Sequence, residues 1–195
     1  MNFLAHLTLS YFDAGLQVGN FLGDFVKGRA EQDYPPPVRR GIAMHRAIDA
    51  TTDADPDVRT LNDRVRPRHG RYAPVVTDIA FDYFLYRNWD RFGPADFTVF
   101  SRTTYRHLAA AKASMPPRVA GYVNGMVSDD WLQLYTTPGG MARVFHRLRP
   151  RLSRPELIDG VEDTLTELAP AFQSTFLTFY PRLQSLAATY RDHRP

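Results

Sequence analysis

One segment, residues 73–90, constrains the fold more than any other part of this 195-residue sequence. Its apolar side chains recur with helical spacing but spread widely around the helix instead of forming a single stripe. Such a helix has no polar face to turn towards water, so other elements must surround it. We therefore predict a central, buried helix, whose apolar residues include Val75, Ile79, Phe81, Leu85 and Trp89.

The remaining periodic segments also predict helices, and strand patterns are weak throughout. Alternating apolar and polar runs bounded by hairpin turns, internal repeats and low-complexity tracts are all missing from the sequence. A chain of this length can bury one substantial core. We expect an all-α fold, a compact multi-helix bundle, in a single domain over residues 1–195. The other predicted helices or helix-turn segments cover about 3–12, 16–28, a stretch from the prolines before residue 38 to about 52, 55–65, 95–113, 117–127, 138–148, 154–169 and 171–190.

The helix that opens after Tyr34–Pro37 and runs to about Thr52 carries His45, Asp49 and Asp53 at successive i, i+4 positions. At about 3.6 residues per turn, these three side chains lie roughly along one face. A histidine and carboxylates one turn apart are ligands for a hard or borderline divalent cation. Apolar neighbours turn the same face inwards, where an unpaired carboxylate is costly. Either arginines or a metal must therefore balance these acids.

Acids and a histidine also occur in apolar settings on other predicted helices. Asp78 and Asp82 are one turn apart on the central helix, and like charges at that spacing repel unless a cation offsets them. Asp24 lies between apolar residues in a glycine-rich segment, and His6 lies in an apolar N-terminal helix. Pairing with lysine or arginine is the alternative for the acids, and an ordinary buried histidine is the alternative for His6.

Together these side chains form a candidate metal site built from several helices. Carboxylates and imidazoles without sulfur bind Mn²⁺, Mg²⁺, Zn²⁺ or Fe²⁺, and the excess of carboxylates favours Mn²⁺ or Mg²⁺. Such a cation polarises a phosphoryl oxygen and activates water near neutral pH. Lys27, Arg46 and Arg40 are the candidates for binding the substrate phosphodiester. The candidate metal ligands are His6, Asp24, His45, Asp49, Asp78 and Asp82, and the candidate catalytic residues are Asp24, His45, Asp49 and Asp78.

Composition excludes several other classes. The chain has no cysteine, which rules out disulfides, thiolate metal sites and cysteine nucleophiles. No run of about 18 apolar residues predicts a membrane span. The N-terminus lacks the basic and long apolar regions of a signal peptide, so we expect a cytoplasmic protein.

Arginine dominates the basic residues, because all but two of the 24 are arginine and the net charge is +3. Arginine suits planar recognition of phosphate and carboxylate, so an acidic partner is one interpretation, and a codon preference of the source genome is the other. The basic residues are scattered and no nucleic-acid-reading motif is present, so we expect no nucleic-acid partner.

Four blocks of sequence, in order, resemble the acyl carrier protein phosphodiesterase family. The resemblance covers about the first 90 residues, and the remainder matches only in length and helical character. It implies an all-helical fold related to the HD phosphohydrolases and a divalent metal, typically Mn²⁺. It also implies hydrolysis of the phosphodiester that joins 4′-phosphopantetheine to a serine of acyl carrier protein. The four blocks are Asn2–His6, Gly19–Gly28, Gly41–Asp49 with Thr52-Asp53, and Asp78–Leu85.

The sequence departs from the HD pattern in one respect, since it contains no His-Asp dipeptide. Either Gly23-Asp24 takes the place of that dyad or His45 and Asp49 share its role. Acyl carrier proteins are small and acidic, so electrostatic attraction to this basic protein is expected. The candidate contacts are Arg39, Arg40, Arg66, Arg68 and Arg71, with an ordinary solvated surface as the alternative.

Two competing functions remain open from the sequence. One is an HD-type metal phosphohydrolase that acts on nucleotides or another small phosphoester, with the same acids and metal. The other is a metal-free helical binding module in which arginines pair with the acids. The oligomeric state is also open, because the aromatic C-terminal helices could pack internally or against another subunit.

Overall fold

The computed structural model describes residues 1–192, which form α-helices joined by turns and short 3-10 helices, with no strand in that range. The prediction of an all-α, multi-helix bundle is confirmed. None of the helices in these residues combines the length and hydrophobicity that a bilayer crossing requires. The helices are α1 (Phe3–Leu9), α2 (Ala14–Leu22), α3 (Pro36–Ala54), α4 (Pro56–His69), α5 (Ala73–Arg87), α6 (Trp89–Phe92), α7 (Phe97–Ala110), α8 (Pro117–Ser128), α9 (Pro138–Leu148), α10 (Val161–Glu167) and α11 (Ala169–Asp192).

Helix α5 is central, as its apolar surface predicts, and packs against α1, α4 and α11. Its phenylalanines are fully buried against aromatic residues of α11. Phe84 stacks on Phe172 with ring centroids 5.7 Å apart, and Phe81 lies 5.8 Å from Phe176. The aromatic C-terminal helix therefore packs inside the core of its own chain.

Glycines allow α2 and α3 to approach each other closely. A Cβ on Gly19 would lie 2.8 Å from the Cα of Gly41, and a Cβ on Gly41 would lie 2.7 Å from the Cα of Gly19. Real Cβ atoms do not tolerate such distances, so a side chain at either position would push the two helices apart. This close approach brings Asn20 of α2 against His45 of α3, which positions the site described below.

Several predicted helix boundaries differ from the observed ones, most clearly in two segments. Residues 154–169 do not form one helix, because a 3-10 turn at Pro155–Ile158 is followed by Gly160 in the left-handed region (φ 68°), after which α10 begins. The central helix ends at Arg87 instead of residue 90, and the short α6 follows it.

Candidate metal centre

Three side chains from two helices converge at the end of α1. His6 comes from α1, while His45 and Asp49 are one turn apart on α3. The Nε2 atom of His6 lies 3.1 Å from Asp49 Oδ1, and the Nε2 atom of His45 lies 3.1 Å from Asp49 Oδ2. The two imidazole rings stack with centroids 4.1 Å apart. One nitrogen or oxygen from each residue lies within 4.8 Å of the others, a spacing that suits a shared cation.

Asn20 of α2 fixes the orientation of both imidazoles. Its side-chain oxygen lies 2.8 Å from His6 Nδ1, and its main-chain oxygen lies 2.8 Å from His45 Nδ1. Its amide nitrogen donates to the main-chain oxygen of His6 at 3.0 Å, which fixes the direction of the amide group. Both oxygens only accept hydrogen bonds, so both Nδ1 atoms carry the proton. Each Nε2 therefore presents a lone pair to the cluster whenever its ring is neutral.

The donor set fits a divalent cation. Two imidazole nitrogens and a carboxylate oxygen are ligands that Zn²⁺, Fe²⁺ and Mn²⁺ all accept. Each histidine has its second ring nitrogen hydrogen-bonded, as metal-ligating histidines nearly always do. His6 and His45 are buried, while the side chain of Asp49 is 41% exposed, so a substrate can reach the cluster from the carboxylate side.

The charges of the three residues depend strongly on one another. Burial lowers the pKa of His6, so this ring is neutral near pH 7. Burial also acts to lower the pKa of His45, but hydrogen bonds and charges from Asp24 and Asp49 outweigh it and raise that pKa to about 9. Although burial opposes ionisation of Asp49, the hydrogen bond from protonated His45 and the close contact with His6 hold its pKa far below the usual range. His45 thus carries a positive charge between two carboxylates, and a bound cation would replace that charge.

Asp24 borders the cluster and is more exposed than its members. Its Oδ1 atom lies 3.5 Å from His45 Nε2, and half of its side chain is accessible to solvent. The preceding residue must be glycine, because a Cβ on Gly23 would lie only 2.2 Å from the ring of His45. The end of α2 can therefore pass directly over the imidazole and place Asp24 at its edge.

Asp78 and Asp82 of α5 lie near the cluster but have other partners. Asp78 forms an ion pair with the Met1 amino group, at 3.1 Å. The same amino group lies 3.7 Å from Asp49. Burial raises the pKa of Asp78.

Asp82 is fully buried and binds the start of α1. Its two carboxylate oxygens accept hydrogen bonds from the main-chain amides of Leu4 (2.7 Å) and Ala5 (3.0 Å). Burial nevertheless raises its pKa to about 7. Asp82 therefore anchors the helix that carries His6, and its predicted role as a metal ligand stays a prediction.

The remaining candidates lie outside the three-residue cluster. Asp53 is exposed on α3. Lys27 and Arg46 are exposed and line one surface groove next to Gly23, in which Arg46 pairs with Glu31 at 2.6 Å. The guanidinium of Arg40 is directed towards α11, where it donates to a main-chain oxygen.

Of the arginines predicted to meet the carrier protein, Arg39 is exposed at the start of α3. Arg40 contacts α11 as described, and the other three contact residues of this chain. The pairs are Arg66 with Asp63, Arg68 with Glu167 and Arg71 with Tyr72.

Sequence reasoning missed Asn20 and the Met1 amino group. Asn20 could have been found from its position, because a fully buried amide between two glycines on an apolar helix must satisfy its hydrogen bonds somewhere. The hydrogen bond that its main-chain oxygen accepts from His45 could not be predicted, because every residue has such an oxygen.

Comparison with known proteins extends the resemblance well beyond the first 90 residues. The family model of acyl carrier protein phosphodiesterase matches residues 1–183. Relatives described by that name in Salmonella dublin, Salmonella newport and Salmonella heidelberg are each 36% identical to this chain over 193 residues. The matches cover 96% of this chain and 98% of each relative. No solved structure matches, so the relationship to the HD fold stays a prediction. The chain belongs to the acyl carrier protein phosphodiesterase family.

Proposed function

We propose that this protein is a metal-dependent phosphodiesterase that removes 4′-phosphopantetheine from a serine of acyl carrier protein. The observation that carries the proposal is the pair of imidazoles, fixed by Asn20, that direct Nε2 atoms towards Asp49. His6, His45 and Asp49 would hold the cation, with Asp24 beside them. Membership of the family indicates the substrate, and the cluster is the proposed place of phosphodiester hydrolysis.

Mn²⁺ is the proposed metal, with Mg²⁺, Fe²⁺ and Zn²⁺ as the alternatives that the same ligands accept. When bound, a divalent cation polarises a phosphoryl oxygen and makes water nucleophilic near neutral pH. Asn20 keeps both imidazoles in the tautomer and orientation that ligation requires. The Met1 amino group offsets the negative charge that Asp49 and Asp78 bring to the same place.

Asp24 is placed to handle the proton of the attacking water. It is half exposed and adjoins the cluster, with Oδ1 3.5 Å from His45 Nε2. In the proposed reaction water adds to phosphorus, the bond from phosphorus to the serine oxygen breaks, and that oxygen takes up a proton from solvent. Asp24 accepts the proton that the water loses. The products are the apo carrier protein and free phosphopantetheine.

A basic groove next to the cluster suits the acidic protein partner. Lys27, Arg29 and Arg46 line it together with Gly23, and Glu31 is the acid that accompanies them. We propose that this groove, and not the paired arginines of α4, attracts the carrier protein in the cytoplasm. Attraction of this kind speeds association and weakens as salt screens the charges.

The test is the intact mass of holo acyl carrier protein after incubation with this protein and Mn²⁺. We expect loss of the phosphopantetheine mass, suppression by EDTA and recovery when Mn²⁺ is added back. An unchanged carrier protein mass with Mn²⁺ present would show that holo acyl carrier protein is not the substrate. Release of phosphate or nucleoside from free nucleotides would then favour the alternative HD-type activity.

Metal binding should release a proton from His45. Its pKa of about 9 means that the ring is protonated near pH 7 before the cation binds, whereas a ligating imidazole must be neutral. The apparent affinity for Mn²⁺ should therefore rise about tenfold per pH unit between about pH 6 and about pH 8. Calorimetry in buffers of different ionisation enthalpy measures the proton release directly. An affinity independent of pH, with no proton released, would contradict the assignment of His45 as a ligand.

A further inference from the structure

A cavity of about 570 Å³ lies beside the cluster, and Asp24 belongs to the lining of the cavity as well as to the edge of the cluster. Its volume is within the roughly 300–1,000 Å³ that small-molecule sites occupy. The proposed chemistry at His6, His45 and Asp49 uses none of its other walls. A substrate whose phosphodiester reaches the cluster can therefore extend past Asp24 into this cavity.

Aromatic rings form one wall. The Tyr122 ring contacts Phe3, Phe25 and Trp131, with centroid distances of 5.9, 5.4 and 4.7 Å. Each of these rings lines the cavity. Helix α9 adds Val144 and Leu148 to the lining, and both are half-buried. These walls suit an aliphatic segment of a ligand.

The charged groups of the lining balance each other. Two aspartates, Asp24 and Asp129, and two arginines, Arg147 and Arg151, border the cavity. Arg147 lies over the Trp131 ring and pairs with Asp129 at 3.0 Å, and Arg151 lies over the Tyr122 ring. A ligand with several negative charges finds no net positive potential here. An uncharged ligand with carbonyl groups can, in contrast, accept hydrogen bonds from the guanidinium N–H groups.

We propose that this cavity binds the pantetheine arm of the substrate, an inference that rests on the proposed function. Beyond its phosphate the arm is uncharged, with a branched aliphatic segment, a hydroxyl, two amides and a thiol. The aliphatic segment packs on Tyr122 and Trp131, and Arg147 and Arg151 donate to the amide carbonyls. The phosphate end stays at Asp24 and the metal cluster. The cavity thereby selects phosphodiesters that carry this arm.

Binding of free pantetheine, measured by the fluorescence of Trp131, tests the cavity without requiring hydrolysis. Titration of the intact protein should give a saturable change in the millimolar range or below, which Trp131→Phe abolishes. Val144→Phe fills the cavity and should weaken this binding by roughly tenfold or more. Val99→Phe is the matched control, because it makes the same change at a valine of α7 that is 52% exposed. Leu148→Ala removes apolar side-chain atoms from the same lining instead of adding volume, and it should also weaken pantetheine binding.

A second readout separates this inference from the proposed function. Val144→Phe should raise the KM for holo carrier protein by a larger factor than the KM for bis(p-nitrophenyl) phosphate, which lacks the arm, and Val99→Phe should change neither KM. Equal pantetheine binding by the folded variants, or saturable binding of AMP in place of pantetheine, would overturn the cavity assignment even if carrier protein is cleaved. Saturable pantetheine binding with no cleavage of holo carrier protein would support the cavity assignment and refute the proposed reaction instead.

Discussion

His45→Ala lowers the Mn²⁺-dependent hydrolysis of holo acyl carrier protein by about 10³-fold, the scale on which loss of a preorganised electrostatic group acts. The substitution removes one of two imidazole ligands and leaves Asp24 and Asp49 without the ring that both contact. The rate of phosphopantetheine release, followed by intact mass, measures the loss. The bound Mn²⁺ per chain should fall in parallel.

His146→Ala is the control for that variant. His146 is exposed on α9, outside the cluster, so its removal should leave both activity and metal content unchanged. Retention of full activity by His45→Ala, with a normal content of Mn²⁺, would show that the cluster is not the metal centre.

Asn20→Ala should weaken Mn²⁺ binding by about 10–100-fold, the range found when residues that orient metal ligands are removed. Alanine removes the side-chain oxygen that holds His6 Nδ1 and the amide that holds the His6 main chain, while the main-chain contact to His45 remains. Asn20 is a positioning residue, so excess Mn²⁺ should restore most of kcat. Calorimetric titration of Mn²⁺ gives the affinity, and activity at saturating metal gives the second readout.

Gln17→Ala provides a matched control on the same helix. Gln17 is also fully buried, and its amide donates to the main-chain oxygen of Leu7 and to Thr104. Both variants lose buried hydrogen bonds, so both should lower the melting temperature. Only Asn20→Ala should lower the affinity for Mn²⁺. An equal loss of affinity in both variants would show that Asn20 acts only through the stability of the fold.

The fold could be predicted largely from the spacing of apolar residues. The broad apolar surface of α5 predicted a central helix, and packing against α1, α4 and α11 confirms it. The boundary within residues 154–169 was missed because helical periodicity continues across Gly160. Only the left-handed backbone at that glycine, set by the way the chain turns into α10, shows that the helix must restart there.

The candidate site was only partly predictable because periodicity specifies a helix face and not what that face meets. The pairs His45–Asp49 and Asp78–Asp82 have the same i, i+4 spacing in the sequence. Asp49 of the first pair contacts the imidazole of His6 on α1. Asp82 of the second pair instead accepts hydrogen bonds from the free main-chain amides at the start of α1. Both environments satisfy a carboxylate, Asp49 with imidazoles and the buried Asp82 with main-chain amides. Sequence spacing alone cannot distinguish them, since the partner comes from a different helix.

The most direct test of the metal centre is pulsed electron paramagnetic resonance of the Mn²⁺-loaded protein, which detects nitrogen atoms coordinated to the metal. The cluster predicts coupling to two histidine nitrogens in the unsubstituted protein and to one in His6→Ala. Coupling to no nitrogen, with Mn²⁺ bound by oxygen alone, would contradict the assignment of His6 and His45 and move the metal to the carboxylates of α5.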